Sequence, residues 1–320
     1  MIRSSISNSE GARERRFWRR AAAAFVVALA GYSAVVAVVP VKPTTFVTQD
    51  ARNAAMAESF VLGPRPKIVL AGSSLCARLD AELLGKEVGN ICFAGGSALT
   101  GLDLIEAVSA YPDIVLIEAN FFYRRADPAF VAQATRPVSS WLKGRFPALQ
   151  VANEPINLLL SGLKSLSPGA QRPDPIAIRR AIEQRLSDVS ERPSDGDLAA
   201  ATALLARHVD RLLSHNVRIA VLEMPVADEL EDVDATRRPI EALARLFPPG
   251  EVPWFRWDRT SAVETTDGAH LTDDSAAKVA SRVAHFIASL EAAPRSAAPL
   301  QRLTRALDRT AGAAASTPGP

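Results

Sequence analysis

Two cysteines and four histidines are all that this chain of 320 residues has of the side chains that hold soft metals. Cys76 and Cys92 cannot build metal-ligand spacing between them, so a zinc site is not expected. Net charge is missing too. Lys and Arg number 37 against 35 Asp and Glu, a formal balance of +2. Outside the N-terminal segment no stripe joins basic and aromatic residues, which argues against nucleic-acid binding. Charge vanishes altogether from Ala21 to Val39. A helix over that run would nearly span a ~30 Å hydrocarbon core.

Two readings compete for that run, a cleaved signal peptide and a retained anchor. A secretory apolar region usually has about 7–15 residues, and this one is longer. It ends in Pro40-Val41-Lys42-Pro43 with no small-x-small cleavage site in the expected place. An uncleaved transmembrane anchor over 21–40 is therefore expected. Arg13, Arg15, Arg16, Arg19 and Arg20 precede it. Those arginines favour a cytoplasmic N-terminus over 1–20 and an exported remainder. The expected location is the inner membrane, single-pass, with the large domain in the periplasm.

Beyond the anchor, 41–65 reads as a polar linker. Short apolar runs then alternate with helical patterns. Strands are expected over 67–71, 87–92, 113–118, 217–223 and 252–257, and helices over about 77–84, 99–110, 196–214, 235–246 and 273–290. Strands that are nearly all apolar imply an α/β domain whose parallel sheet is covered on both faces. This domain should run over 66–291, with an insertion of short helices and loops over about 124–193. The Ala-, Pro-, Ser- and Thr-rich residues 292–320 read as a disordered tail.

Ligands of such sheets bind outside the carboxyl ends of the strands. Gly72-Ser73-Ser74, Gly95-Gly96, Asn120 and Pro225 all follow strand ends. Ser73 and Ser74 can divide two tasks, one capping the next helix and the other free to react. Asp267-Gly268-Ala269-His270 precedes the last helix, and its glycine permits a turn that folds the carboxylate onto the imidazole. Serine, histidine and aspartate are the minimum set for serine-based acyl transfer. His208, His215 and His285 fall within or at the ends of polar helix faces. Cys76 and Cys92 are placed near the tips of neighbouring strands, either bonded or as buried free thiols.

These segments resemble the SGNH (GDSL-type) hydrolase superfamily. Gly72-Ser73-Ser74-Leu75 is similar to its first block, Asn90 to Gly96 to its second, and Asp267 to Thr272 to its last. The resemblance covers about 66–290. It implies a flavodoxin-like three-layer parallel sheet, Ser74 as nucleophile, His270 as base and Asp267 as orienting acid. It also implies oxyanion donors at the Gly95 N–H and the Asn120 side-chain amide. Two departures stand out. Ser73 occupies a place where the family often has Asp, and Glu118-Ala119-Asn120-Phe121 replaces the usual Gly-x-Asn-Asp.

The anchor and the insertion resemble membrane-anchored exported members of the superfamily that modify cell-envelope polymers. Some of these assist O-acetylation of exopolysaccharides beside a membrane-bound O-acyltransferase. The resemblance thus implies a serine esterase or O-acyltransferase without metal or cofactor, acting on an acylated glycan or another ester. A catalytically impaired scaffold in the same machinery is the alternative, and a lipase is a third.

Overall fold

Alternate residues of a strand point to opposite faces, and in this chain both sets are apolar. The strands are β1 (Ile68–Gly72), β2 (Val88–Cys92), β3 (Ile114–Glu118), β4 (Arg218–Leu222) and β5 (Trp254–Phe255). Val69, Val115, Ile117 and Val221 join one buried cluster, while Ile68, Leu70, Leu116 and Leu222 join another. A sheet buried on both faces needs helices on both, and the chain supplies them.

The molecule, a computed structural model, is described over residues 8–38, 46–166, 174–188, 192–258 and 260–293. All strand pairings are parallel, in the order β2-β1-β3-β4-β5. This is the order of flavodoxin-like doubly wound sheets, whose direction of winding switches between β1 and β3. The expected tail falls almost wholly outside the described residues.

The helices are α1 (Asn8–Val38), α2 (Gln49–Leu62), α3 (Ala81–Leu84), α4 (Ala98–Ala107), α5 (Pro128–Ala134), α6 (Pro137–Arg145), α7 (Pro155–Leu166) and α8 (Pro175–Ser187). After them come α9 (Asp195–Ser214), α10 (Asp228–Glu231), α11 (Asp234–Leu246) and α12 (Asp273–Ala292). Leu102 and Ile105 of α4, Leu205 of α9 and Leu243 of α11 fill the first cluster. Leu84 of α3 with Val279, Val283 and Ile287 of α12 fill the second.

Three expectations need correction. The supposed linker 41–65 contains α2, because Met56, Ala57, Phe60 and Val61 share one helical face and pack on the first cluster. The helix expected over 77–84 is broken into a 3₁₀ turn (Cys76–Arg78) and the four-residue α3, since Asp80 caps a new start by accepting from the Glu82 N–H at 2.9 Å. The fifth strand is only two residues long. Pro253 has no N–H to give to the ladder, although its carbonyl accepts from Val221 at 2.9 Å.

The described residues fall into two compact units. A helical unit comprises 8–55 with 137–166 and holds α1, α6, α7 and two 3₁₀ turns, Pro147–Leu149 and Val151–Asn153. A sheet unit comprises 56–136 with 174–293. In the helical unit, Gly11–Val38 is a helix long and apolar enough to cross a membrane, and the apolar window is unburied.

Candidate active site

The turn after β1 carries two serines, and their surroundings separate them. Ser73 is fully buried; its hydroxyl donates to Glu118 Oε1 at 2.6 Å and accepts from the Leu75 N–H at 3.2 Å. Glu118 Oε2 also accepts from the N–H groups of Ser73 and Cys76, at 2.9 and 3.2 Å. One carboxylate at the end of β3 thus holds the whole turn. Gly72 makes room for it, because a Cβ there would lie 2.5 Å from Glu118 Cβ and 2.4 Å from Cys76 Sγ. Burial pushes the Glu118 carboxyl up, and the hydrogen bonds from Ser73 and Cys76 oppose that shift.

Ser74 is only half-buried, and its hydroxyl lies 2.8 Å from His270 Nε2. These two residues are 196 positions apart. On its other side the imidazole Nδ1 lies 2.8 Å from Asp267 Oδ2. Serine, imidazole and carboxylate thus stand in the order that acyl transfer would need, and a proton on Nδ1, facing the carboxylate, would leave Nε2 to accept from Ser74.

Local sequence builds the acid–base half. Asp267 Oδ1 accepts from the N–H groups of Ala269 and His270, at 3.1 and 2.8 Å. Gly268 stands at φ 86°, where a side chain is disfavoured, and a Cβ would meet Ile182 Cγ1 at 2.7 Å. The Gly268 carbonyl accepts from Ala227 at 2.7 Å, and Thr266 N–H donates to the His270 carbonyl at 2.7 Å. Thr272 then caps α12 by accepting from Ser275 N–H. His270 is held between a clamped turn and a helix start.

Arg185, from α8 in the insertion, reaches this half. Its Nη2 lies 2.7 Å from Asp267 Oδ2, and its Nε donates to the Asp267 carbonyl at 3.1 Å. Burial is the largest single influence on the Asp267 carboxyl and works against its ionisation. The hydrogen bonds from His270 and Arg185, with the attraction of His270, outweigh burial and hold it well below the usual carboxylate range. Asp267 is therefore an anion at any physiological pH.

Gly95 lies exposed in the turn after β2, which the Gly96 N–H closes by donating to the Phe93 carbonyl at 2.9 Å. A disulfide between Cys76 and Cys92, with Cα atoms 5.7 Å apart, ties this strand end to the serine turn. Asn120 has a structural task that its sequence did not announce. Its side chain is 1% exposed; Nδ2 donates to the Met224 carbonyl at 2.9 Å and Oδ1 accepts from the Met224 N–H at 2.8 Å. One N–H of that amide and its carbonyl oxygen splice the ends of β3 and β4. The reason is its register, two residues past Glu118 and next to the chain leaving β4.

Compared with protein-family models, curated proteins and solved structures, the chain matches none of them. Geometry therefore carries the functional reading. Among the described residues no three His, Cys, Asp or Glu side chains gather as metal ligands would.

The other histidines do structural work, one of them unexpectedly. His208 is buried, not on a polar face, with Nδ1 2.7 Å from Glu106 and Nε2 3.4 Å from Asp103. His215 stacks on Tyr111, and His285 bonds the Ser281 carbonyl one turn back. Sequence reading missed Arg185 and Glu118. A carboxylate closing an otherwise apolar strand was a visible signal for Glu118. Arg185 had none, since 82 residues separate it from Asp267.

Proposed function

We propose that this protein is a membrane-anchored, exported serine esterase or O-acyltransferase that acts on an acylated cell-envelope glycan or a similar ester. The observation that carries the reading is the hydrogen-bonded series Ser74–His270–Asp267, with both links at 2.8 Å. Ser74 Oγ attacks the acyl carbonyl while its proton passes to His270 Nε2. The tetrahedral intermediate collapses as the alcohol leaves with that proton, and the acyl group remains on Ser74. Water or a sugar hydroxyl then attacks the acyl-enzyme while His270 takes its proton, and that proton returns to Ser74 Oγ as the bond from Oγ to the acyl carbon breaks. Asp267 holds the tautomer and stabilises the imidazolium. The backbone N–H groups of Ser74 and Gly95 are the candidate oxyanion donors. The resemblance to SGNH hydrolases supports the same assignment and the placement beside a membrane-bound O-acyltransferase. The arginines before α1 support a cytoplasmic N-terminus and an inner-membrane anchor.

One observation favours a second reading, a scaffold in the same machinery. One N–H of Asn120, the expected third oxyanion donor, is taken by the Met224 carbonyl. Loss of one such donor costs roughly 10²–10³ in turnover. A serine-reactive fluorophosphonate separates the two readings when applied to the full chain in detergent beside Ser74→Ala. Labelling confined to the wild type is expected. A folded wild type that resists labelling would favour the scaffold.

A further inference from the structure

Helix α7 is built inside out. Its polar Asn157 is fully buried and Ser161 nearly so, one turn apart on one face. Ile156, Leu159, Leu163 and Leu166, at helical spacing on the other face, are all exposed, and Leu166 is 81% so. The buried amide is satisfied within the helical unit. Asn157 Nδ2 donates to the Val151 carbonyl at 2.8 Å, and its Oδ1 accepts from the Val47 N–H at 3.2 Å. A surface helix in water puts the opposite face outward. The pattern continues in α6, where Val138 and Trp141 are exposed three residues apart and no residue is buried.

The same unit shows what faces these side chains. Tyr32, inside the apolar run of α1, donates its hydroxyl to the Asn153 carbonyl between α6 and α7. Tyr32 precedes the helix end at Val38 by six residues, about 9 Å at 1.5 Å per residue. If α1 spans a bilayer, the segment touching it there lies below the point where α1 emerges. Interfacial helices bury their apolar face by roughly 5–10 Å, the same depth. Lys143, Arg145 and Lys164 against Glu154 give Pro137–Leu166 a positive balance that suits anionic headgroups. Trp141 supplies the aromatic residue that favours the boundary.

We infer that α6 and α7 form a lipid-binding shelf: their apolar stripes lie in the outer interface of the bilayer that α1 crosses. The inference rests on the anchor reading above. It goes further, since a single tether leaves the attached protein free to swing, whereas a tether plus a shelf fixes the unit at the membrane surface.

Site-directed spin labelling of the full chain tests it. Both native cysteines are bonded to each other, so one added cysteine is the only free thiol. Leu159→Cys, Leu163→Cys, Val27→Cys and Leu83→Cys all fall at exposed positions. Each labelled protein is placed in phosphatidylethanolamine–phosphatidylglycerol vesicles and its collisions with oxygen and with a water-soluble nickel chelate are compared. The shelf requires an oxygen-to-nickel ratio at 159 and 163 several-fold above that at 83 and approaching that at 27. Nickel access at 159 and 163 equal to that at 83, with 27 still in lipid, overturns the shelf and leaves the anchor intact. Labels at 159 and 163 immobilised and shielded from both reagents overturn it in favour of a protein occupant, such as a second copy. Nickel access at 27 as well would remove the anchor itself and the shelf with it.

Discussion

In the sheet unit Leu104 and Leu205 are wholly buried, while Ser74, Asp267 and His270 keep an opening to solvent. In the helical unit Leu159 and Leu163 are more than half exposed, while Asn157 is wholly buried. Among the described residues, seventeen exposed large apolar side chains belong to the helical unit and three to the sheet unit. One chain thus follows two solvent rules. Burial of apolar surface drives folding in water. Within lipid, internal polar satisfaction takes over that role. On the function and the shelf proposed above, the sheet unit would carry the chemistry in water and the helical unit would meet lipid.

The largest expected effect breaks the reactive edge. Asp267→Asn should lower turnover by about 10⁴-fold, because the imidazole loses the partner that selects its tautomer. The substitution also probes linkage. A carboxyl held below its usual range contributes stability that is present above the unfolded value near 4 and is lost as pH falls toward the folded value. The gap in Tm between wild type and Asp267→Asn should be widest near neutrality and close as pH drops below about 4. A gap that widens in acid would contradict the Arg185–Asp267–His270 arrangement.

Core substitution sharpens the contrast between the units. Leu104→Ala should cost about 2–5 kcal/mol in denaturant unfolding of the full chain in detergent. Leu159→Ala, on the outward stripe of α7, should stay within about 0.5 kcal/mol. Equal costs would mean that Leu159 is packed against protein. Replacing Cys76 and Cys92 together by Ser should cost about 2–4 kcal/mol, since their bond closes a short loop. Loss of alignment between the serine turn and Gly95 should lower turnover in the same variant. Arg185→Met is expected to be the mildest for activity, about tenfold in turnover, the equivalent of one charge-assisted hydrogen bond. A pH profile unchanged by that substitution would show that Arg185 does not act through Asp267.

Much of the sheet unit is legible in the order of residues. Val69, Val115 and Val221 sit in apolar runs too short for helices, and they form β1, β3 and β4. The Asp267–His270 contact spans three residues with a glycine between, so it depends on one turn. Other features lay beyond local reading. The polar look of 41–65 concealed α2, because four apolar residues on one face suffice once a sheet lies beneath them. The pairing of Asn120 with Met224 followed from its register, which the sequence does not show. Within α7 the order of residues shows a short apolar piece around Ile156 to Leu160, but not the face that the helix buries. Which face a helix buries depends on its neighbours.

Period and turn chemistry act within a few residues, so the amino-acid order alone dictated β1 to β4, helices α4, α9, α11 and α12, the apolar run of α1 and the pairing of Asp267 with His270. Ser74 meets His270 across 196 residues, Glu118 meets the serine turn across 45, and Arg185 meets Asp267 across 82. Only tertiary structure decides such meetings. They follow from the order in which strands enter the sheet and from where the insertion packs, and no local pattern encodes either.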